Sequence, residues 1–382
     1  MIKVVIIGSG LSGLICANLF KKKDFFDVYL LEKHNLNINK LDDYYKLKKK
    51  NLHPHAFTSV FCYYLKKYLP ELYFATKNKS FIDKLILRSI DVSKKDFNNI
   101  LFKNINKKIN FYNKVLDLKF QFKNRIVSEI KFFSDKKYYE INDVDFVLDC
   151  SGVNSYYENI LKKTNNLKIN KISKNRFFSS IFFKINDRNN LTRLNKLLLN
   201  KNITIYEDDY NLSIIKYNNN FSATFVSGNQ EFKDKNYSKK ILNEALMKYD
   251  IENILVSKNL KWFHLNSIFL KFKNTNDIIK NIIPIGECFM KTNPEHGNGS
   301  TLSILQAIYV FSKIQSKFNL NEYIDVFFDL FKLLEKNNIF IKKNSNRKIL
   351  KKIIPFYFEF RFLFYFYFLE KKKFQSIINL LN

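Results

Sequence analysis

The spacing of apolar positions changes several times along the chain. Ile2-Lys3-Val4-Val5-Ile6-Ile7 is a short β-branched run of the kind that forms a strand buried on both faces. A glycine turn follows, Gly8-Ser9-Gly10-Leu11-Ser12-Gly13, and the apolar run Leu14–Phe20 then reads as a helix. A second strand is predicted over Asp27–Leu31, ending at Glu32. Two later stretches, Asp145–Gly152 and Asn281–Glu287, repeat the buried-strand texture, and each runs into a glycine. Between them the pattern differs. Phe177–Ile185, Ile203–Glu207, Asn211–Tyr217 and Phe221–Ser227 are short strand-like runs split by Asn and Asp turns. This predicts an antiparallel sheet inserted between segments of a parallel one. From about Thr301 onward the pattern is mostly helical, and the lysine-rich stretch Lys40–Lys50 reads as a surface loop. No internal repeat or flexible linker interrupts the chain.

Composition narrows the class. With 382 residues and 46% hydrophobic residues the chain can bury a sizeable core, which excludes disorder, a collagen-like chain or a disulfide scaffold. Cys16, Cys62, Cys150 and Cys288 are far apart and form no CxxC pair, so a reducing, cytoplasmic setting is expected and no metal site. The net charge of +30 invites a nucleic-acid partner. Arginine, the residue that forks onto phosphates and bases, occurs only at positions 88, 125, 176, 188, 193, 347 and 361. Lysine is spread over the whole chain, and Asn, Ile, Phe and Tyr are abundant. Such a bias follows from AT-rich codons, so no nucleic-acid partner is expected. Residues 1–20 lack the order of a signal peptide, because Lys21, Lys22 and Lys23 follow the apolar run. Ile353–Leu369 is apolar and aromatic but short for a bilayer span, and it carries Glu359 and Arg361. Its lysine flanks, Lys351-Lys352 and Lys371–Lys373, suit either a membrane-surface anchor, with the protein peripheral to a membrane, or a packed terminal helix.

The first turn is G-x-G-x-x-G after a strand and before a helix, the context a dinucleotide-binding fingerprint requires. Gly8 permits the tight turn, Gly10 lets backbone approach a pyrophosphate, and Gly13 lets helix and strand pack closely. Leu11 and Ser12 open the helix, whose N–H groups and positive dipole end face the phosphates. Glu32 is placed to accept from a ribose 2′-OH and would repel a 2′-phosphate. The glycines alone do not separate FAD from NAD.

Three segments together resemble the FAD-dependent monooxygenase-like flavoproteins, the superfamily of aromatic hydroxylases, squalene-type epoxidases, flavin halogenases and geranylgeranyl reductases. The first is the N-terminal turn. The second, Asp145–Ser155 (DFVLDCSGVNS), is similar to "DLVVDASGxxS". The third, Gly286–Ala307 (GECFMKTNPEHGNGSTLSILQA), is similar to "GDAxxxxNPxxGxGxxxAxxxA". A fourth, Asn51–Ala56 with Tyr68–Leu72, resembles "QGxHxHxL … LxPGL" of bacterial flavin epoxidases and hydroxylases of secondary metabolism. Three positions depart from the pattern: Glu287 stands for the usual Asp, Asn298 for a common Arg, and Tyr156 for an Arg after the second turn.

The resemblance implies an α/β protein with a Rossmann-like FAD-binding domain built from residues near 1–75, 90–165 and 276–330. An inserted antiparallel-sheet substrate layer would span 76–89 and 166–275, and a helical C-terminal region 331–382. It implies that Gly286 and Glu287 meet the ribityl chain. Pro294, Gly297 and Gly299 would bring backbone against the flavin, and the helix near Ser300 would point its N-terminus at the ring. The expected activity is hydroxylation or epoxidation of a hydrophobic small molecule. A reductase or desaturase on a prenyl or polyketide chain, and a non-catalytic FAD-binding protein, are the alternatives. Catalysis would centre on the flavin, with His53 and His296 as candidate contacts and His55 two residues after the first. Phe177, Phe178, Phe182, Phe183, Tyr206 and Trp262 are expected to line an aromatic pocket. The halogenase "WxWxIP" motif is absent, and so is a second dinucleotide fingerprint. Electrons would therefore come from transient NAD(P)H binding or from a separate flavin reductase.

Overall fold

The computed structural model describes residues 1–34, 54–77, 90–105, 109–152, 155–171, 176–198, 203–207, 209–217, 220–252, 254–256, 261–265, 268–273, 279–292, 298–315 and 318–344. It divides into two compact units, residues 1–331 and 332–382. The described residues of the second unit are helical. The Lys40–Lys50 loop and the Ile353–Leu369 segment lie outside the described residues, as do His53, Pro294, His296 and Gly297.

A five-stranded, wholly parallel sheet organises the first unit. Its order is Ile282–Pro284, Phe146–Asp149, Ile2–Ile7, Phe26–Leu31, Asn110–Tyr112. The strand Ile2–Ile7 is central, and Val4, Val5 and Ile6 are fully buried, which is why the sequence there is a continuous apolar run without alternation. The helix Leu11–Phe20 makes the crossover to the second strand. It is enclosed on all sides, with every residue from Gly13 to Phe20 buried. Asn18 is tolerated in it because its amide donates to the carbonyls of Leu14 (2.8 Å) and Leu101 (3.0 Å) and accepts from Asn104 (2.9 Å).

The middle of the chain forms a separate antiparallel sheet. Its order is Ile203–Tyr206, Tyr210–Tyr217, Asn220–Ser227, Arg176–Ile185, Ile254–Val256, with Lys261–Leu265 also paired to Arg176–Ile185. Alternate residues build its core: Ile181, Phe183, Ile185, Leu212, Ile214, Phe221, Ala223 and Phe225 pack with Leu194 and Leu198 and with Leu242, Ala245 and Leu246. The helices Arg188–Leu197 and Lys235–Met247 therefore cover that face. The opposite face carries Ser180, Ser213, Ser222, Thr224 and the half-buried Phe182.

This register corrects the aromatic-pocket expectation. Phe183 is 1% exposed and belongs to the helix-covered core, stacked on Phe221 with ring centroids 5.4 Å apart. Phe177 and Trp262 occupy the register rows of Ser227 and Ser179, on the same alternation as Phe183. Phe178, Phe182 and Tyr206 occupy the other rows. A strand presents its side chains to two faces in turn, so six aromatics from three strands cannot all line one cavity.

A three-stranded meander, Leu116–Lys123, Ile126–Ser134 and Lys137–Asn142, was not anticipated. Its tight turns place Asn124 and Arg125 at φ 52° and 62°, and Asp135 and Lys136 at 45° and 67°. That is the left-handed pair two-residue hairpins need, here without glycine. Leu167–Lys171, Ile268–Phe272 and Met290–Lys291 form a further small sheet. Among the described residues no helix is long and apolar enough to cross a membrane.

Candidate cofactor site

The three glycine-bearing turns meet at one edge of the parallel sheet. Asp149 is in register with both Ile7 and Pro284, so the strands Ile2–Ile7, Phe146–Asp149 and Ile282–Pro284 end side by side. The turns leaving them, at Gly8, at Gly152 and at Gly286, are consequently neighbours. This is the carboxyl edge of a parallel sheet, where α/β proteins bind their ligands.

Packing explains Gly13 and Gly286. A Cβ on Gly13 would lie 1.9 Å from the Gly8 carbonyl oxygen, so only glycine lets the helix Leu11–Phe20 sit this close to the turn before it. Gly286 has φ +76°, and a Cβ there would lie 2.3 Å from Ser12 Oγ. The Gly286 N–H donates to Gln306 Oε1 (2.7 Å), and Ser12 Oγ bonds Ser303 Oγ (3.1 Å). The first helix, the third turn and the helix Asn298–Lys313 thus close on one another. Gly10 is different, since a Cβ there would meet nothing within 4 Å. The space above the pyrophosphate position of the fingerprint is open.

Glu32 is buried beside that opening. Its Oε2 accepts from the Ser9 N–H (2.8 Å) and hydroxyl (2.5 Å), and its Oε1 from the His34 N–H (2.7 Å). The carboxylate is fixed at the strand end, with a lone-pair site left on Oε1 for a ribose hydroxyl. Glu287 is exposed next to Gly286. Gly299 stands near the start of the helix Asn298–Lys313, where a Cβ would come within 3.1 Å of Thr292 Oγ1, and Ser300 follows it, buried. Thr58 links a further element to this helix end, its Oγ1 lying 2.7 Å from Thr301 Oγ1.

Behind the turns Asp149 is fully buried. It accepts from the Ser151 hydroxyl (2.6 Å) and N–H (3.1 Å), and from the Tyr157 N–H (2.7 Å). Burial pushes its carboxyl above the ordinary aspartate value, and the hydrogen bonds from Ser151, Tyr157 and Cys288 pull the other way without cancelling it. The Cys288 thiol bridges the second and third turns, accepting from the Gly152 N–H (3.2 Å) and approaching Asp149 Oδ1 at 3.5 Å. Burial raises that thiol too.

The structure therefore brings together Gly8, Gly10, Leu11, Ser12, Gly13, Glu32, Gly286 and Glu287, with Gly299 and Ser300 on the adjoining helix end. Sequence reasoning missed Ser9, Gln306, Cys288 and the Thr58–Thr301 pair. Gln306 carried a signal, a lone amide inside the apolar run Leu302–Phe311. Among the described residues no group of His, Cys, Asp and Glu could hold a metal ion. The donor set instead fits a dinucleotide: an open backbone turn at a helix N-terminus, a fixed carboxylate at the second strand end, and a second exposed carboxylate at the third turn.

No protein-family model matches the sequence, and no curated protein matches it. Solved structures do. A flavoprotein/dehydrogenase from Cytophaga hutchinsonii aligns at 14% identity and TM-score 0.65, over 88% of this chain and 86% of that one. PqsL from Pseudomonas aeruginosa, a probable FAD-dependent monooxygenase, aligns at 9% identity and TM-score 0.64, over 92% and 99%. A triple mutant of the flavin-dependent brominase Bmp2 aligns at 15% identity and TM-score 0.63, over 92% and 93%. Across nearly its whole length, the chain has the fold of the flavin-dependent monooxygenases and halogenases.

Proposed function

We propose that this chain is an FAD-dependent monooxygenase that hydroxylates or epoxidises a hydrophobic small molecule. One observation carries the reading: the three glycine turns converge at the carboxyl edge of the sheet, with open space over Gly10, in a chain of this fold. The N–H groups of Leu11 and Ser12 would take the pyrophosphate at the helix N-terminus. Glu32 would hold a ribose hydroxyl, and Gly286 with Glu287 would meet the ribityl chain. The helix from Asn298 would set its positive end toward the ring and stabilise negative charge there. Bound flavin would supply the oxygen-activating chemistry, leaving the protein to orient substrate and exclude water. NAD(P)H bound transiently, or a separate reductase, would supply electrons.

The test starts with the visible spectrum of the purified protein before and after reconstitution with FAD. NADH or NADPH is then added in air with apolar candidate substrates, and oxygen incorporation is followed by mass spectrometry. The expected result is a flavin spectrum and a product heavier by one oxygen atom. Protein that takes up no FAD overturns the reading. Product formed equally well without oxygen would make the chain a reductase or desaturase, and bound flavin whose reduction and reoxidation no substrate alters, with no product formed, would make it a non-catalytic binder.

A further inference from the structure

The helices Ser59–Tyr68 and Pro70–Lys77 bury one side well, with Phe61, Leu65, Leu69, Leu72 and Tyr73 at most 2% exposed. Their other side is unusual for two short surface helices. Tyr63 is 50% and Phe74 53% exposed, and Lys66, Lys67, Pro70 and Glu71 are exposed between them. Tyr63, Lys66 and Lys67 share one side of the first of these helices, and Pro70, Glu71 and Phe74 one side of the second. The two sides meet where Lys66 Nζ lies 5.9 Å from the Tyr73 ring, itself 5.4 Å from Phe74. The turn after the helix Leu11–Phe20 extends this face. Lys22 Nζ donates to the Tyr68 carbonyl (2.7 Å) and pairs with Glu71 (3.3 Å), and the exposed Lys23 and 40%-exposed Phe25 follow it in the same turn. The patch holds three exposed rings and four lysines, opposed by Asp24 and Glu71.

We propose that this face docks on an anionic membrane surface, with Phe25, Tyr63 and Phe74 in the headgroup boundary and the lysines against acidic headgroups. Exposed rings interleaved with lysines are the composition of an interfacial helix. Lysine stems lie along apolar surface while their ammonium groups stay in water, and aromatic rings favour the boundary layer. A purely electrostatic contact with an acidic protein would use the lysines and leave the rings without a role. The placement has a functional consequence that rests on the activity proposed above. Thr58 caps the helix Ser59–Tyr68, accepting from the Phe61 N–H (3.2 Å), and it also bonds Thr301 beside the cofactor loop. Tyr63 is only about 7 Å along the helix axis from that link. The docked face and the cofactor turns would thus be joined through one helix, which suits a lipophilic substrate drawn from the bilayer.

The test is co-sedimentation of the full-length protein with phosphatidylcholine vesicles and with the same vesicles containing phosphatidylglycerol. Circular dichroism and the thermal midpoint confirm folding of each variant. Binding is expected only to the phosphatidylglycerol vesicles. A Lys66→Glu/Lys67→Glu variant should weaken it about 30-fold or more, given roughly 1 kcal/mol per lysine at an anionic surface. Tyr63→Ser/Phe74→Ser keeps the charge and should weaken it about tenfold. Lys239→Glu/Lys240→Glu makes the same charge change on the exposed side of the helix Lys235–Met247 and should leave binding unchanged. Equal losses in both charge variants would reduce the effect to net charge and overturn the proposal. Three further outcomes would also overturn it: no vesicle binding by folded protein, equal binding to both vesicle types, or binding to soluble polyglutamate that ignores the ring substitutions. None of these readouts depends on flavin or turnover, so the docking proposal and the activity can fail separately.

Discussion

The parallel sheet and the inserted antiparallel sheet both bury strands beneath helices, but they constrain the sequence differently. In the parallel sheet the decisive positions are turns with no room for a side chain: Gly13 against the Gly8 carbonyl, and Gly286 against the Ser12 side chain. In the inserted sheet the decisive feature is alternation, with Phe183 and Phe225 on the helix side and Ser180 and Thr224 on the other. The first demand names a residue type at a position. The second names only a polarity at every other position, and many sequences satisfy it. Substitutions in the two regions should therefore fail in different ways.

The largest effect is expected at Gly13→Ala. Its methyl would stand 1.9 Å from a backbone oxygen that belongs to a turn and cannot swing away. The cost should exceed ~3 kcal/mol, and flavin binding should go with it, because helix and turn separate. Denaturant unfolding and flavin content measure both losses on the same sample. Gly13→Ala protein of unchanged stability would mean the helix does not pack against the turn as described.

Phe183→Ala comes next. It empties a fully enclosed site among Phe221, Ile181 and the two covering helices, at a cost of ~3–5 kcal/mol. Its flavin content and visible spectrum should remain those of the native protein, because the cavity opens on the face covered by the helices Arg188–Leu197 and Lys235–Met247. Phe182→Ala, on the half-buried opposite face, should cost less stability and alter substrate-dependent oxidation instead. If Phe183→Ala bleached the flavin while Phe182→Ala did not change turnover, the assignment of the two faces would be reversed.

Asp149 gives the parallel sheet a pH signature in the acid range. Its carboxyl is held above the ordinary value by burial, so between the unfolded and folded values the native state binds more protons than the unfolded chain. The sign follows directly: stability contributed by this group is highest at low pH and falls as pH rises from the unfolded value, about 3.9, through the raised one. A carboxylate held below its ordinary value, as Glu140 is by hydrogen bonds from Asn142 and Lys131, produces the opposite slope. Denaturant midpoints across the acid range, native against Asp149→Asn, should differ in slope over that window. Parallel curves would show that Asp149 ionises normally.

These differences also decide what could be read from the sequence. The chain has eight glycines, and only Gly228 lies outside the three turn segments. The chain makes many of its other left-handed turns with Asn, Asp, Lys and Arg, as at Asn124-Arg125 and Asp135-Lys136. Glycine thus marked the site with little background, and the parallel strands leading into it were legible. The same scarcity hid the meander, whose hairpins carry no glycine to announce them. Strand alternation was visible in Phe177–Ile185, but the choice of face was not. It depends on which neighbours in the sheet the helices cover, and that is a long-range fact. Ser9 and Cys288 escaped for a similar reason, because their partners, Glu32 and Gly152, are distant in sequence and adjacent only at the sheet edge.

The smallest stability effect is expected at Gly10, and it sharpens the comparison most. Gly10 has φ −70° and ψ −173°, extended backbone that any residue adopts, and a Cβ there would touch nothing. As the residue before the helix Leu11–Phe20, alanine is a poorer cap than glycine, but it also has fewer unfolded conformations to lose. The two effects oppose each other, so Gly10→Ala should change stability by no more than ~0.5 kcal/mol. Nothing in the protein itself therefore requires glycine at this position. A pyrophosphate lying on the turn does, because the added methyl would stand where the phosphate oxygens approach the backbone. FAD affinity of the Gly10→Ala protein, titrated by flavin fluorescence, should fall about tenfold or more, a loss of ~1.4 kcal/mol. Unchanged affinity in a stable Gly10→Ala protein would place the nucleotide elsewhere and leave the glycine turn with a packing role alone.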